Sequence, residues 1–259
     1  MFEKYNICKM PGHWFLSRMG KRVLRPGGKA LTSLMLNGLN ITRNDDVVEF
    51  APGMGITAKH IFEKCPNRYW GIDQNREALT HLREMTPIER YSFVEGNIIN
   101  SGLKDDLATV ILGEAVLTMQ TSANKQKIIN EAYRVLRKNG RYGIHEISIA
   151  PDDASESFKD KICRELSSVI HVNARPLTLS EWRTMLENAG FTVEKVFSKP
   201  MHLLKISRML QDEGWKGLFK IIRNILKTKG AWERVRAMRA VFTKYERQMS
   251  AVSIIALKG

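Results

Sequence analysis

A glycine-rich turn and two acidic residues are spaced so that they could bind a cofactor. Glu49 lies in the apolar run Val47-Val48-Glu49-Phe50, which precedes Gly53-Met54-Gly55-Ile56-Thr57-Ala58. This run fits the pattern G-x-G-x-x-G/A, in which a backbone without bulky side chains lets a nucleotide-bearing ligand approach a helix N-terminus. Asp73 ends the next apolar run, 18 residues beyond Gly55, at the spacing where a carboxylate can take the two hydroxyls of a ribose. The pattern predicts a site for an adenosine-containing cofactor.

The charge of Glu49 distinguishes two classes of such cofactors. An anion at the carboxyl end of the first strand would repel a pyrophosphate, as found in NAD, but would attract the ammonium and sulfonium groups of S-adenosylmethionine. The residues therefore favour S-adenosylmethionine and methyl transfer. A dinucleotide-dependent oxidoreductase is the less favoured alternative.

The elements around these residues alternate between short β-rich runs and helical patterns, which is typical of a parallel sheet covered by helices. Strands are predicted from the apolar runs, and helices from apolar spacing, with Asn139-Gly140 as the C-cap of a helix over 125–137 and Ser180 as the N-cap of a helix over 181–189. The predicted strands are 47–50, 69–73, 91–94, 108–112, 141–149, 192–197 and 251–257.

The chain resembles the class I S-adenosylmethionine-dependent methyltransferases, whose motif reads acid-x-G-x-G-x-G. Here it is Glu49-Phe50-Ala51-Pro52-Gly53-Met54-Gly55, with Ala51 in place of the first glycine. Gly71-Ile72-Asp73, Glu95-Gly96-Asn97 and the run 134–141 follow in the family's order, and 113–120 is similar to the small-molecule group that includes ubiquinone and menaquinone C-methylases.

The resemblance implies an α/β fold with a Rossmann-like, seven-stranded, mostly parallel sheet and helices on both faces. We predict three segments: an N-terminal basic helical segment (1–40), the Rossmann-like methyltransferase domain (41–200 and 250–259), and a basic helical cap inserted before the last strand (201–249). S-adenosylmethionine is the implied cofactor. Its predicted contacts are Glu49, Ala51, Gly53, Gly55, Asp73, Gln74, Asn97, Ile98, Gly113 and Glu114.

Two further groups are candidates for contact with the acceptor. His145 ends the fifth strand on the cofactor side, so it could act as a general base near neutral pH or could be a structural histidine. His171, Asn173 and Arg175 lie in a polar loop between helical stretches, where such loops often line substrate pockets. A connector role for this loop is the alternative.

The net charge of +14 is concentrated in two segments. Residues 1–30 carry seven Lys and Arg against one acid, and residues 201–249 carry twelve against four. Lys216, Lys220, Arg223 and Lys227 form a basic helical stripe with Leu218, Ile222 and Ile225 roughly opposite. The pattern favours contact with an anionic membrane over nucleic acid, because aromatic residues do not recur among the basic ones. Solvated helix faces are the alternative.

The remaining signals bound the setting of the protein. The start of the chain lacks a signal-peptide pattern, and Cys8, Cys65 and Cys163 form no CxxC, so we expect a reduced cytoplasmic location. Peripheral contact with the membrane is compatible with this location. Metal binding is not expected, since His145 and Glu146 are adjacent on a strand and point to opposite faces.

The hypothesis is an enzyme that transfers a methyl group by direct displacement to a small acceptor that is apolar or amphiphilic, under the helical cap. The alternatives are an RNA or protein methyltransferase that binds substrate through the basic segments, and a non-catalytic cofactor-binding protein. The acceptor atom and the oligomeric state are left open.

Overall fold

The computed structural model describes residue 7, residues 9–86 and residues 88–259, so Cys8 and most of 1–8 lie outside the described part. The helices are α1 (Gly12–Arg18), α2 (Gly28–Leu39), α3 (Ile56–Phe62), α4 (Arg76–Met85), α5 (Ser122–Val135), α6 (Glu156–Ile170), α7 (Leu179–Asn188), α8 (Ile206–Lys227) and α9 (Ala231–Lys244). The strands are β1 (Asp46–Phe50), β2 (Arg68–Asp73), β3 (Tyr91–Glu95), β4 (Ala108–Glu114), β5 (Leu136–Ile149), β6 (Leu177–Thr178), β7 (Phe191–Pro200) and β8 (Met249–Lys258).

One sheet contains all these strands, in the order β3-β2-β1-β4-β5-β8-β7, and the two-residue β6 pairs with the end of β5. β8 runs antiparallel to both of its neighbours, β5 and β7. The predicted Rossmann-like sheet of seven strands is therefore confirmed, with β6 as a short addition. The chain order reverses between β1 and β4, and sheets of this kind bind ligands at the carboxyl ends of the strands on either side of that point. Those ends are Phe50 and Glu114.

Helices cover both faces of the sheet. One face packs on the apolar residues of α2, α3 and α4, such as Met35, Ile61 and Leu82. The other face packs on α5 and α7, where Trp182 is fully buried. The sheet is apolar on both faces for this reason, which explains why its central strands are continuous apolar runs.

A third apolar cluster lies beyond the carboxyl end of the sheet. It joins residues of α1, α6, α8 and α9 with the ends of β5 and β8, and we call these four helices the helical layer. Phe15, Leu166, Ile221 and Met238 are among its buried members. The predicted N-terminal segment contributes α1 to this layer, whereas its α2 packs on the sheet. The division into the three predicted segments stays a prediction.

Two predicted helix ends are wrong. α5 ends at Val135, and Asn139-Gly140 lies within β5, where Asn139 takes a left-handed φ of 60° in an irregular stretch between the pairs Ala108–Leu136 and Val110–Arg141. α7 is capped by Thr178, whose hydroxyl accepts the N–H of Glu181 while the Glu181 side chain accepts the N–H of Thr178. This reciprocal capping box satisfies two backbone donors. Ser180 is the second residue of the helix and does not cap it.

Two acidic residues of α8 bind the segment that leads from α1 to α2. The Glu213 carboxylate accepts the backbone N–H groups of Arg22 (2.9 Å) and Val23 (2.8 Å), and Lys21 Nζ lies 3.9 Å away. Asp212 accepts the N–H of Lys29 at 3.1 Å, in the first turn of α2. α8 bends immediately after this pair, because Gly214 takes φ 71°. The position of α8 therefore depends on two buried carboxylates.

We expect Glu213→Gln to lower the free energy of unfolding by about 2–4 kcal/mol, since it leaves buried donors and the Lys21 ammonium without a counter-charge. Burial raises the pKa of Glu213, but the N–H of Val23, Arg22 and Lys21 outweigh burial and hold the pKa below its ordinary value of 4.5. The stabilisation is therefore present above that pH and is lost as pH falls. Urea unfolding at pH 7 and at acid pH measures both effects.

The matched control is Glu233→Gln, because Glu233 is an exposed residue of α9. Equal unfolding midpoints for the two variants at pH 7 would show that Glu213 does not hold α8.

Candidate active site

The turn after β1 has the backbone shape that the glycine pattern predicts. Ala51, Gly53 and Gly55 all take left-handed φ values, of 55°, 53° and 75°. A Cβ atom added to Gly53 would have no neighbour within 4 Å, whereas one added to Gly55 would lie 2.2 Å from Leu82 Cδ2. Gly53 thus leaves room for a ligand and Gly55 lets α3 pack closely on α4. Ala51 adopts a conformation that glycine takes at lower cost.

Asp73 is held against this turn. One of its carboxylate oxygens accepts the N–H of Gly53 at 3.0 Å, and the other accepts the N–H of Asn75 at 2.9 Å. Each oxygen keeps a second lone pair, so the carboxylate can also accept a pair of ligand hydroxyls. Gln74, the next residue, is exposed.

Glu49 is buried behind the turn, with 4% of its surface exposed. The hydroxyl of Tyr69 donates to Glu49 Oε2 at 2.7 Å. Burial raises the pKa of Glu49 to about 8, even though the bond from Tyr69 acts in the opposite direction. The carboxyl group is therefore mostly protonated at neutral pH, and a nearby cation would favour its ionisation.

Glu114 ends β4 and collects four polar partners. Its Oε1 accepts the hydroxyl of Thr32 at 2.6 Å and faces His145 Nδ1 at 2.6 Å. Its Oε2 accepts the hydroxyl of Thr57 and lies 3.4 Å from Arg25 Nε. Burial would raise the pKa of Glu114, but Arg25, His145 and Thr32 outweigh it and lower the pKa to about 2. We call these five residues the Glu114 cluster.

His145 is fully buried within this cluster. Its Nδ1 faces the Glu114 carboxylate and its Nε2 faces the carbonyl oxygen of Pro26 at 2.6 Å. Both ring nitrogens face oxygen atoms of the protein, and His145 does not line the cavity. This geometry does not support the predicted general-base role and favours the structural alternative.

Glu146 points to the other face of β5, as its adjacency to His145 predicts. Its carboxylate accepts the N–H groups of Val116, Leu117 and Thr118 at 2.8–3.0 Å, and the Thr118 hydroxyl at 2.6 Å. These bonds shape the 3₁₀ turn Leu117–Met119 that follows β4. Glu146 therefore positions the loop that forms part of the cavity wall.

A cavity of about 300 Å³ joins the glycine-rich turn to the helical layer. At one end it is bounded by polar residues and the turn, and at the other by apolar side chains. The polar end includes Arg25, Glu49, Ala51, Gly53, Thr57, Asp73 and Glu114; the apolar end includes Trp14, Leu16, Val116, Met119, Ile147, Leu166, Ile170, Val172, Met201, Leu203, Met238 and Phe242. The polar residues His13, Arg22 and Thr118 also line the cavity.

Five of the ten predicted cofactor residues line this cavity: Glu49, Ala51, Gly53, Asp73 and Glu114. The other five lie outside its lining. Gly55 lies against Leu82 of α4. Gly113 and Ile98 are buried, and Gln74 and Asn97 are exposed. The Asn97 side chain accepts the N–H of Ile99 at 3.0 Å, in the turn after β3. The assignment of these five to the cofactor stays a prediction.

The three predicted acceptor residues point away from the cavity. His171, Asn173 and Arg175 are exposed, and Arg175 Nε donates to Asn173 Oδ1 at 3.2 Å. The residues between them, Val172 and Ala174, line the cavity instead. The loop therefore contributes apolar contacts to the cavity where polar ones were expected.

Sequence reasoning missed several members of the site: Arg25, Pro26, Thr32, Thr57 and Tyr69. Arg25 stands before Pro26-Gly27-Gly28, a run of turn-forming residues. The available signal was an arginine before a turn together with an acid at the end of a strand, Glu114, for which the sequence named no basic partner. Arg25 is buried, and in the described part of the chain its Nε and Nη2 atoms make no hydrogen bond.

Comparison with known proteins identifies the family. Residues 41–190, more than half of the chain, match the family model described as a methyltransferase domain. The chain belongs to this methyltransferase family. The methyltransferase is also 30% identical over 251 residues to an uncharacterized protein of Haemophilus influenzae, covering 95% of this chain and 98% of that protein.

Solved structures of low sequence identity share its fold. A crystal structure of MccD protein superposes with a TM-score of 0.69 at 17% identity, covering 91% of this chain and 99% of that one. Phosphoethanolamine N-methyltransferase 2 of Haemonchus contortus, in complex with S-adenosyl-L-methionine, superposes with a TM-score of 0.69 at 13% identity, covering 99% of this chain and 58% of that one.

The family and the site together identify the cofactor of this methyltransferase as S-adenosylmethionine. The residues fit it, because the open space at Gly53 and the carboxylate of Asp73 suit an adenosine, and Glu49 suits a cation. No helix in the described part of the chain is both long and apolar enough to cross a membrane.

Proposed function

We propose that the methyltransferase acts on a small acceptor that is largely apolar or amphiphilic and binds in the cavity beneath the helical layer. The observation that supports this is the change in the cavity wall from polar residues at the turn to apolar side chains of α1, α6 and α9. A volume of about 300 Å³ is at the lower end of the range for small-molecule sites. An acceptor RNA or protein would have to insert a single base or side chain into this space.

The polar end of the cavity provides contacts for both ends of the cofactor. We assign the ribose hydroxyls to Asp73 and the cationic groups to Glu49, whose bond from Tyr69 engages only Oε2. The free Nη2 of Arg25 suits the carboxylate of the methionine part, because a buried guanidinium without a hydrogen bond favours an anionic acceptor. Glu114 has both oxygens engaged and acts by positioning Arg25 and Thr57.

S-adenosylmethionine supplies a methyl group on a sulfonium, which leaves as a neutral thioether when a nucleophile attacks the methyl carbon. The protein has to orient the acceptor in line and exclude water. The apolar end of the cavity does both, since its side chains surround an acceptor without competing for its nucleophilic atom. Because both ring nitrogens of His145 are engaged, we propose that His145 does not act as a general base in the reaction.

The ionisation of Glu49 predicts a pH dependence of cofactor affinity. With its pKa raised to about 8 by burial, Glu49 must lose a proton when a cation binds beside it. We expect the affinity for S-adenosylmethionine to rise by up to about tenfold per unit between pH 6 and pH 8 and then to level off, with release of a proton. Calorimetry in buffers of different ionisation enthalpy measures both quantities.

Two variants serve as controls for this measurement. Glu49→Gln should bind more weakly with no pH dependence, and Asp73→Ala should bind more weakly while keeping the dependence. An affinity of the unmodified protein that stays constant from pH 6 to pH 8 would contradict the role given to Glu49.

The acceptor is tested with labelled S-adenosylmethionine and a panel of small acceptors of graded apolarity. Phe242→Ser should lower kcat/KM for a soluble acceptor by roughly 10- to 100-fold, because Phe242 lines the apolar end of the cavity, and should leave cofactor affinity unchanged. Phe219→Ser, which alters an exposed phenylalanine of α8, is the matched control. Transfer of the labelled methyl group to RNA or protein, with no transfer to any small acceptor of the panel, would overturn the proposal.

A further inference from the structure

The outer surface of α8 carries a stripe of large apolar side chains. Trp215, Phe219, Ile222 and Leu226 recur at intervals of four, three and four, which places them on one face of the helix. Their exposed fractions are 76%, 71%, 44% and 71%. We call these four residues the apolar stripe. Exposed apolar residues that are clustered, rather than scattered, mark interaction surfaces.

A second stripe lies beside the first. Lys216, Lys220, Arg223 and Lys227 each follow one residue of the apolar stripe, so they are rotated from it by about 100° around the helix axis. All four are exposed. In the described part of the chain none of them forms an ion pair. We call these residues the basic stripe.

The helix has another face for packing on its own protein. Leu218, Ile221 and Ile225 are buried, and the last two belong to the apolar cluster of the helical layer. The sequence pattern predicted Leu218, Ile222 and Ile225 roughly opposite the basic stripe, but Ile222 is exposed and belongs to the apolar stripe beside it. The apolar stripe therefore contributes nothing to the core, and the fold itself gives no reason for four large apolar residues to face outward.

We propose that α8 docks on the surface of an anionic lipid bilayer, with the apolar stripe buried at the level of the headgroups and the basic stripe on lipid phosphates. Such a helix combines an apolar face, rich in tryptophan and phenylalanine, with lysine and arginine that reach back to the interface. Trp232 at the start of α9, 55% exposed, and the neighbouring Lys229 extend the same composition past the end of α8.

Charge complementarity favours lipid over the other occupants of this surface. A second copy of the chain would bring another row of four cations against the first, which is unfavourable. A nucleic acid would suit the basic stripe, and Trp215 and Phe219, which do recur among the basic residues, offer its bases two aromatic surfaces. It would leave the aliphatic side chains of Ile222 and Leu226 in water, whereas a bilayer buries them. An anionic bilayer satisfies both stripes at once.

The docking helix lies next to the cavity wall, since Ile221 and Ile225 share the apolar cluster of Met238 and Phe242. If the acceptor is amphiphilic, an extension that rests on the proposed function, the bilayer is a source from which it could reach the cavity. The docking itself does not depend on the acceptor.

The test is flotation of the full chain with vesicles of phosphatidylcholine alone or with about one third phosphatidylglycerol. We expect binding only to the anionic vesicles, weakened by added salt. Lys216→Gln with Lys220→Gln and Arg223→Gln should weaken binding roughly 100-fold, and Trp215→Ser with Phe219→Ser should weaken it at least roughly tenfold.

Matched controls remove the same groups elsewhere. Lys104→Gln with Lys127→Gln and Lys138→Gln takes away three exposed lysines outside α8, and Ile88→Ser takes away an exposed apolar residue ahead of β3. Both controls should float like the unmodified protein. Calorimetric binding of S-adenosylmethionine by every variant establishes that it is folded, and separates a failure of docking from a failure of the proposed function.

Several results would overturn the docking proposal. One is a lack of binding to anionic vesicles, and another is equal binding to neutral ones. A dimer in light scattering that Trp215→Ser with Phe219→Ser abolishes would assign the surface to a second copy. Salt-sensitive RNA binding that requires the basic stripe, without vesicle binding, would assign it to nucleic acid.

Discussion

The buried carboxylate of Glu114 is the interaction on which the arrangement of the site depends. A charge removed from water destabilises the fold unless it is paired and hydrogen-bonded, and here one carboxylate serves four groups from four parts of the chain. Arg25 comes from the segment before α2, Thr32 from α2, Thr57 from the start of α3 and His145 from β5. The glycine-rich turn is thereby held between the N-terminal segment and the centre of the sheet.

The second constraint is the pair Asp212 and Glu213, which transmits this arrangement to α8. Their carboxylates hold the backbone of residues 22–29, so the segment that carries Arg25 is held at both ends. A Cβ on Gly28 would lie 2.6 Å from the Asp212 carboxylate, which shows how closely α2 approaches α8. The kink at Gly214 then sets the direction of the rest of α8 and the outward position of its apolar stripe. Cavity, cofactor turn and surface helix are therefore parts of one hydrogen-bonded assembly.

Local signals in the sequence were sufficient for the sheet and for the cofactor turn, since apolar runs, glycines and strand-end acids act over a few residues. Glu49, Gly53 and Asp73 line the cavity for that reason. The Glu114 cluster was not predictable in the same way, because its other four members lie 31 to 89 residues from Glu114 along the chain. The role of His145 depends on its contact with the carbonyl oxygen of Pro26, 119 residues away, and the spacing of apolar residues in the sequence does not predict such a contact. The acceptor role of His171, Asn173 and Arg175 stays a prediction. Their loop is polar in composition, but the two of its residues that line the cavity, Val172 and Ala174, are apolar.

The dependence of the site on Glu114 is tested most directly by hydrogen–deuterium exchange and cofactor binding of Glu114→Gln. Glu95→Gln is the control, because Glu95 is an exposed acid that also ends a strand. We expect faster exchange at residues 20–28 and 51–57 and at least roughly 100-fold weaker binding of S-adenosylmethionine, because Arg25 loses its counter-charge. Exchange and affinity equal to those of Glu95→Gln would contradict this dependence, and would show that the turn is held without Glu114.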